Sequence, residues 1–385
     1  MRRLMILFVF VFGFVSAASA QIGKSVSVPA GSDEDKALAP ITAAPDGPEK
    51  IALLDKFMAD YGKGDFALLG DQLYVQTYLA QKNYAKVYEY GDKALELDPD
   101  NFATVVNIIR AADAQGDSAK LFDTGEKAAA ILARYKVAAA PEGVAADQWA
   151  STKEQNLTEE QSDVGLVEYS LANAAFKTSD PAARATLFER YAAAFPVSPY
   201  TASVREQTAI AYQQSKNTAK MTSTAQAILA ADPNNVSMLL LLADSWSEAD
   251  QQPDKAAAYA QKALDALKDA KKPDNLTDDQ WRQQTTLEKG IAYSVIGEVD
   301  VIKGKNAPAV DSFQLANPLL KTNNYYYGRN LYRLGFTLAK MRLTPEARSV
   351  LTDAVSIDSP YKAKAKETLD KIGGPVAKTP ARKKS

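Results

Sequence analysis

The sequence predicts an all-α protein built from repeated helix-turn-helix pairs. Helical periods rich in Ala, Leu and Tyr run from about residue 51 to 372, and turn signals such as Lys82-Asn83 and Gly116-Asp117 separate them. No alternating β-branched segment is bounded by hairpin turns, so a sheet is not expected. In addition, a segment of fifteen residues recurs after 34 residues, which is typical of a repeat architecture.

The recurring segment occupies residues 80–94 and 114–128. Seven of its fifteen positions are identical in the two copies. Chance similarity between two Ala-rich helices rarely keeps turn residues and glycines in register as well. The identical pairs are Ala80/Ala114, Gln81/Gln115, Ala85/Ala119, Lys86/Lys120, Gly91/Gly125, Lys93/Lys127 and Ala94/Ala128.

The period and the pattern resemble the tetratricopeptide repeat. The last repeat matches best, with Leu331, Leu334, Gly335 and Leu338 in its first helix, then Ala347, Leu351 and Ala354, and Asp358-Ser359-Pro360 at its end. Earlier repeats are marked by Tyr74, Val105, Leu171, Ala209 and Leu240, and an irregular pair with a longer first helix runs from Thr277 to about Leu320.

This resemblance implies antiparallel helix pairs stacked in a right-handed superhelix, an α-solenoid, over residues 51–372. Two features depart from the family pattern. The signature tryptophan is absent from the helix starts, and residues 136–157 interrupt the period. The resulting divisions are a signal peptide (1–20), a flexible linker (21–50), a first repeat block (51–135), the interrupting segment (136–157), a second repeat block with a C-terminal capping helix (158–372) and a basic disordered tail (373–385).

The amino terminus has the three parts of a Sec-type signal peptide. Positive charge in Met1-Arg2-Arg3 precedes the apolar stretch 4–15, and Ala18-Ser19-Ala20 is a small-residue cleavage site. Cleavage after Ala20 predicts a mature chain that begins at Gln21 and has no transmembrane span. The protein is therefore expected to be exported, either to the periplasm or out of the cell.

Composition excludes several classes of function. The chain contains no Cys and no His, so disulfides, thiolate or Ser-His-Asp catalysis and the commonest metal sites are ruled out. The formal net charge is −2, which disfavours a nucleic-acid partner because phosphate neutralisation needs a basic field. We expect no enzyme activity, no cofactor and no metal.

The resemblance also points to candidate partner-binding residues, because the first helix of each pair lines the concave groove in this family. Counted around the last first helix from Leu331, Leu334 and Leu338, four residues project away from the core: Arg329, Tyr332, Phe336 and Lys340. The same register exposes Gln72 and Gln76 in the first repeat, and Arg110 and Asp113 in the second. The alternative is that Tyr332 and Phe336 pack on the C-terminal helix 361–372.

Three functions remain open at this stage. The first is a scaffold that binds a protein or peptide along its groove without catalysis. The second is an envelope-associated assembly or structural factor whose basic tail makes a peripheral contact with anionic polymer or lipid. The third is a glycan hydrolase that uses the carboxylate pairs Glu159-Glu160 or Asp278-Asp279, although both pairs sit where acidic residues favour helix starts. Thr158 and Thr277, each three residues before a Gln, predict capping boxes there.

Overall fold

The computed structural model describes residues 22–375, and all regular secondary structure in that range is α-helical. The predicted all-α fold is confirmed for these residues. The chain divides into two compact units, Met1–Val204 and Arg205–Ser385. Helices of the first unit are α1 (Asp33–Ala43), α2 (Pro48–Tyr61), α3 (Asp65–Ala80), α4 (Tyr84–Leu97), α5 (Phe102–Gln115), α6 (Ser118–Val137), α7 (Ala146–Glu159), α8 (Gln161–Lys177) and α9 (Pro181–Ala194).

The next helix, α10 (Thr201–Gln214), contains the point of division. The remaining helices belong to the second unit. They are α11 (Thr218–Ala231), α12 (Val236–Glu248), α13 (Pro253–Asp269), α14 (Asp278–Ile302), α15 (Asn306–Leu319), α16 (Asn324–Lys340), α17 (Thr344–Ser356) and α18 (Lys362–Lys371).

Within each unit the helices pack in the order expected of helix-turn-helix repeats. In the first unit α3 packs on α4, α4 on α5, and the two first helices α3 and α5 also touch. In the second unit the same relation recurs, since α12 contacts α14, α14 contacts α16, and α16 contacts α18, with the intervening second helices packed between. The pair α14–α15 has the long first helix that the sequence predicted, 25 residues.

The 34-residue repeat has a clear local cause in the first unit. Asn83 and Asp117 are equivalent N-caps, and their side chains accept hydrogen bonds from the backbone N–H of Lys86 and Lys120. Gly91 and Gly125 are equivalent close-approach positions on the second helices. A Cβ atom at Gly91 would lie 2.8 Å from Ile108, and one at Gly125 would lie 2.5 Å from Leu171. The conserved spacing therefore preserves both the helix start and the packing of the next repeat.

The predicted flexible linker at 21–50 is wrong for the residues that the structure describes. Ile22 is 1% exposed within the core of the first unit, and its carbonyl accepts a hydrogen bond from the Phe102 N–H. Helix α1 is capped by Ser32 and fully buries Ile41. The prediction gave weight to proline and glycine content, but single apolar anchors and a cap order this segment.

The interrupting segment, residues 136–157, contains most of α7. Trp149 on this helix donates its indole N–H to the Ala138 carbonyl at 2.9 Å, and its ring meets Tyr135 edge-on. The core does not break here, since one apolar cluster continues from Phe102 to Val204. The division between compact units lies at 204/205 rather than between the two predicted repeat blocks.

One of the two predicted capping boxes is confirmed. Thr277 accepts from the Gln280 N–H while the Gln280 side chain accepts from the Thr277 N–H, which starts α14. The box at Thr158 is wrong, because α7 begins at Ala146 and the Thr158 hydroxyl donates inside the helix to the Glu154 carbonyl.

Among residues 22–375, no helix has both the length and the apolar character needed to cross a membrane. The predicted signal peptide and the tail from residue 376 onward lie outside the described residues, so those assignments remain predictions.

Candidate functional site

Tyr332 and Phe336, the two aromatic groove candidates of α16, line a cleft of about 400 Å³ in the second unit. We call it the second-unit cleft. Its lining includes Glu248 from α12, Glu298 from α14, four α16 residues, and Tyr361 just before α18. The α16 residues are Tyr332, Arg333, Phe336 and Thr337.

A buried ionic cluster lies beneath this cleft. Arg329 is fully buried and binds both carboxylate oxygens of Asp244 through its two terminal nitrogens. The Nη1 atom of Arg329 also lies 2.9 Å from Oε1 of Glu248. Burial opposes the charge on Arg329, but Asp244 and Glu248 raise the pKa of the guanidinium well above its ordinary value. The arginine is therefore charged and held rigidly between two helices.

The pairing follows from helical spacing. Asp244 and Glu248 are four residues apart on α12, and Arg329 and Arg333 are four residues apart on α16. Each pair therefore projects from one face of its helix, so the two acidic and two basic side chains meet across the contact. Bidentate contact between a guanidinium and a carboxylate also fixes orientation.

Arg333 completes the cluster toward the cleft. Its Nε lies 2.7 Å from Glu298, while its Nη1 is buried without a hydrogen-bond partner among the described residues. Burial and the nearby Arg329 lower the pKa of Arg333, and burial raises the pKa of Glu298 despite the attraction of Arg333.

Tyr361 connects this ionic base to the cleft mouth. Its hydroxyl donates to Glu248 at 2.7 Å, and its ring stacks against Tyr332 with centroids 6.0 Å apart. Burial alone would raise the pKa of Glu248, but Arg329, the Tyr361 hydroxyl and Arg333 lower it below its ordinary value. Glu248 is thus an ionised acceptor with its partners in place.

Three of the four candidate residues of α16, namely Tyr332, Phe336 and Lys340, form an aromatic stripe that is not fully buried. Phe336 is 38% exposed, Tyr332 is half-buried, and the two rings lie 6.1 Å apart. Lys340 is exposed, with its ammonium 5.7 Å from the centre of the Phe336 ring. These three residues share one face because they are four residues apart.

Arg329 does not belong to this stripe, and its prediction as a groove residue is wrong. The prediction took Leu331, Leu334 and Leu338 as the whole buried face of α16. In fact α16 is buried on most of its circumference. Arg329 lies on the same face of the helix as Arg333, and this face contacts α12. The sequence carried one usable signal, the matching four-residue spacing of acids in α12 and arginines in α16.

The alternative for the two aromatics holds for one of them. Tyr332 packs with Leu331, Ala365 and Leu369 in the cluster that docks α18, as well as against Tyr361. Phe336 is not part of that cluster and remains the exposed member.

The candidate residues of the first unit have different surroundings. Gln72 is half-buried and Gln76 is exposed on α3. Arg110 binds Asp163 of α8 at 2.6 Å, and Asp113 accepts a hydrogen bond from Ser170 on the same helix at 3.3 Å. Arg110 and Asp113 therefore connect the first helices α5 and α8. These two side chains, which the sequence predicts to face a partner, thus bind a neighbouring helix of the same chain.

The carboxylate pairs considered for glycan hydrolysis both lie at helix starts. Asp278 and Asp279 are paired with Lys272 and Arg282 at the exposed start of α14. Burial, Asp163 and Glu159 raise the pKa of Glu160, but that residue is the N-cap of α8. Within the described residues, no group of three or more acidic side chains is arranged to hold a metal ion.

No protein-family model matches this chain, and no curated protein matches it. Solved structures do match. Yeast Tom70 is 11% identical with a TM-score of 0.37, covering 91% of this chain and 66% of its own. A chain of the Cut9-Hcn1 hetero-tetramer of APC/C is 10% identical with a TM-score of 0.29, and the match covers 89% of this chain and 90% of that chain.

The tetratricopeptide-repeat domain of P58(IPK) is 16% identical with a TM-score of 0.25, covering 89% of this chain and 90% of that domain. The packing order of the helices within each unit, with first helices touching first helices, is what identifies the fold as an array of tetratricopeptide-like helix pairs.

Proposed function

We propose that this protein is an exported scaffold that binds a protein or peptide segment at the second-unit cleft and catalyses no reaction. The observation that carries the proposal is Phe336, a large aromatic side chain that is 38% exposed at the mouth of a cleft of about 400 Å³. Aromatic residues that become buried on association are the usual anchors of protein recognition.

The surroundings of Phe336 support recognition of a partner. Tyr332 and Tyr361 form an aromatic wall, and the ionic cluster beneath them is already paired before any ligand arrives. A surface whose side chains are held in place loses little conformational entropy on binding.

The same pairing disfavours catalysis. Glu248 is held by Arg329 and by the Tyr361 hydroxyl, and Glu298 is held by Arg333. General acid–base chemistry needs a group within reach of a substrate proton, and these carboxylates are committed to partners within the fold.

Binding is tested with three bait proteins on an envelope extract: wild type, Phe336→Ala, and Leu315→Ala as a control. Leu315 is 55% exposed but does not line the cleft. We expect a protein retained by wild type and Leu315→Ala to be lost from Phe336→Ala, and its purified form to bind Phe336→Ala about tenfold or more weakly. Equal binding to all three baits would overturn the proposal.

Tyr332→Ala separates binding from stability. Because Tyr332 packs with α18, its truncation should lower the melting temperature, whereas Phe336→Ala should leave melting nearly unchanged. Thermal unfolding followed by circular dichroism measures both variants.

Export is tested on the protein recovered outside the cytoplasm. The cleavage site predicts an intact mass that corresponds to a chain beginning at Gln21. Recovery of a chain that still begins at Met1 would contradict export through a cleaved signal.

A further inference from the structure

A second cleft, in the first unit, contains a buried carboxylate. We call it the Asp71 cleft. It has a volume of about 400 Å³ and lies among α2, α3 and α4. Its lining includes Met58, Asp71, Tyr74, Tyr90, Lys93 and Glu96.

Asp71 is 5% exposed, and no hydrogen bond or ion pair to its carboxylate is found among residues 22–375. Two candidate donors that line the cleft form hydrogen bonds to other carboxylates. The Tyr74 hydroxyl donates to Asp55, and the Lys93 ammonium binds Glu89 at 3.0 Å. A carboxylate that reaches the solvent only through a narrow cleft is poorly hydrated, so this arrangement favours a ligand that supplies hydrogen-bond donors.

The walls of the cleft suit a cation. The rings of Tyr74 and Tyr90 stack with centroids 4.2 Å apart. The Lys93 ammonium lies 4.3 Å from the centre of the Tyr90 ring, so this aromatic face binds a positive charge and a ligand cation would take the place of Lys93 there. Glu96 adds a second carboxylate at the exposed edge.

We propose that the Asp71 cleft binds the guanidinium group of an arginine side chain on a partner polypeptide. A planar guanidinium can donate two parallel hydrogen bonds to the Asp71 carboxylate while it lies against a tyrosine ring, which a lysine ammonium cannot do. The proposal concerns the first unit and does not depend on the second-unit cleft.

The raised pKa of Asp71 predicts that binding of a guanidinium depends on pH. Burial raises the pKa of Asp71 from its ordinary value of 3.8 to about 6, and Lys93 opposes that rise. The other ionisable groups around the cleft are Asp55, Tyr74, Tyr78, Lys86, Glu89, Tyr90 and Glu96. A bound guanidinium favours the ionised carboxylate, so binding should strengthen as the pH rises from 5 to 7.

The test uses the purified protein and the probe peptide acetyl-Ala-Arg-Ala-amide, with a peptide containing citrulline in place of arginine as the neutral control. Carbon-13 NMR of the Asp71 carboxyl group follows binding. We expect the arginine peptide to produce a saturable shift and to lower the pKa of Asp71, and we expect the citrulline peptide to do neither.

Three variants then assign the effect to this cleft. Asp71→Asn keeps the side-chain shape and should weaken binding of the arginine peptide about tenfold or more, as followed by the Tyr74 and Tyr90 resonances. Lys93→Gln removes a competing positive charge and should strengthen binding. Asp92→Asn removes an exposed charge from α4 outside the cleft lining and should leave binding unchanged.

Equal binding of the arginine and citrulline peptides, or equal affinity of wild type and Asp71→Asn, would overturn the proposal. Weaker binding in Lys93→Gln would also contradict it. Far-ultraviolet circular dichroism checks that each variant is folded. Phe336→Ala should bind the arginine peptide like wild type, so failure at this site is distinguishable from failure at the second-unit cleft.

Discussion

Asp71 in the first unit and Asp244 in the second lie at similar depth, 5% and 4% exposed, yet their surroundings are opposite. Asp244 accepts both terminal nitrogens of Arg329, whereas Asp71 has no hydrogen-bond partner among the described residues. Both residues sit on the first helix of a repeat, and both are close to stacked or edge-on tyrosine rings.

The difference indicates two uses of a buried carboxylate. With its arginine supplied by the same chain, Asp244 joins α12 to α16 and gives the second-unit cleft a fixed base. Asp71 has no such partner among the described residues, so its carboxylate can accept hydrogen bonds from a ligand. Helix packing is similar in the two places, so the presence of a partner decides the role.

The largest expected effect is the loss of Arg329. Arg329→Met should lower the free energy of unfolding of the second unit by about 3–5 kcal/mol, because Asp244 would remain buried without its counter-charge. Urea unfolding measures the change. Arg110→Met, at a pair that is 39% and 29% exposed, should cost less than about 1 kcal/mol. Similar losses in both variants would remove the distinction between a buried and a surface pair.

An intermediate effect is expected at Tyr361. Tyr361→Phe removes the hydroxyl that donates to Glu248 and should lower the free energy of unfolding by about 1–2 kcal/mol. It should also raise the pKa of Glu248, because one of the groups that stabilise the ionised form is gone. Chemical denaturation and carboxyl NMR test these outcomes, with the exposed Tyr169→Phe as control. An unchanged Glu248 pKa would show that this hydrogen bond does not tune the cluster.

The smallest expected effect is at Asp71, where the substitution should increase rather than decrease the free energy of unfolding. Because the folded-state pKa of Asp71 is raised to about 6, the folded chain holds a proton between pH 4 and 6 that the unfolded chain releases. The Asp71 contribution to stability therefore falls as the pH rises through that window. A shift of this size represents about 3 kcal/mol at pH 7. Asp71→Asn should remove the slope but raise the free energy of unfolding at pH 7 by only about 1 kcal/mol, because the buried amide of Asn also lacks a hydrogen-bond partner.

Asp244→Asn is the matched comparison for that prediction. It should destabilise the protein at pH 7, because it removes the charge that Arg329 requires. Denaturation at pH 4.5, 6 and 7 measures both variants. If both substitutions destabilise the protein at neutral pH, Asp71 has a structural partner like that of Asp244 and the contrast fails.

Much of the fold could be predicted from the sequence because its causes are local. Asn83 and Asp117 cap helices by contacts three residues away, and the register of Gly91 and Gly125 reports close helix packing. The segment before residue 51 was mispredicted because Ile22 and Ile41 act as isolated anchors rather than as a periodic pattern.

The candidate site could be predicted only in part. The stripe of Tyr332, Phe336 and Lys340 follows from four-residue spacing along one helix. Which sides of that helix are covered depends on α12, α14, α17 and α18, and the sequence pattern of α16 alone does not contain that information. For this reason Arg329 was assigned to the surface, although it is fully buried.

By itself the sequence determined the all-α class, the repeat period, the Thr277 capping box and the absence of Cys and His chemistry, since each depends on residue identity or short spacing. In sequence Asp71 and Asp244 look alike, each an acidic residue that follows an apolar stretch of a helix. Only the tertiary structure decided their roles. It brings Arg329 to Asp244 across 85 residues of chain, whereas among residues 22–375 no cation lies within ion-pair distance of Asp71. Electrostatic energy depends on distances in space rather than on separation in sequence.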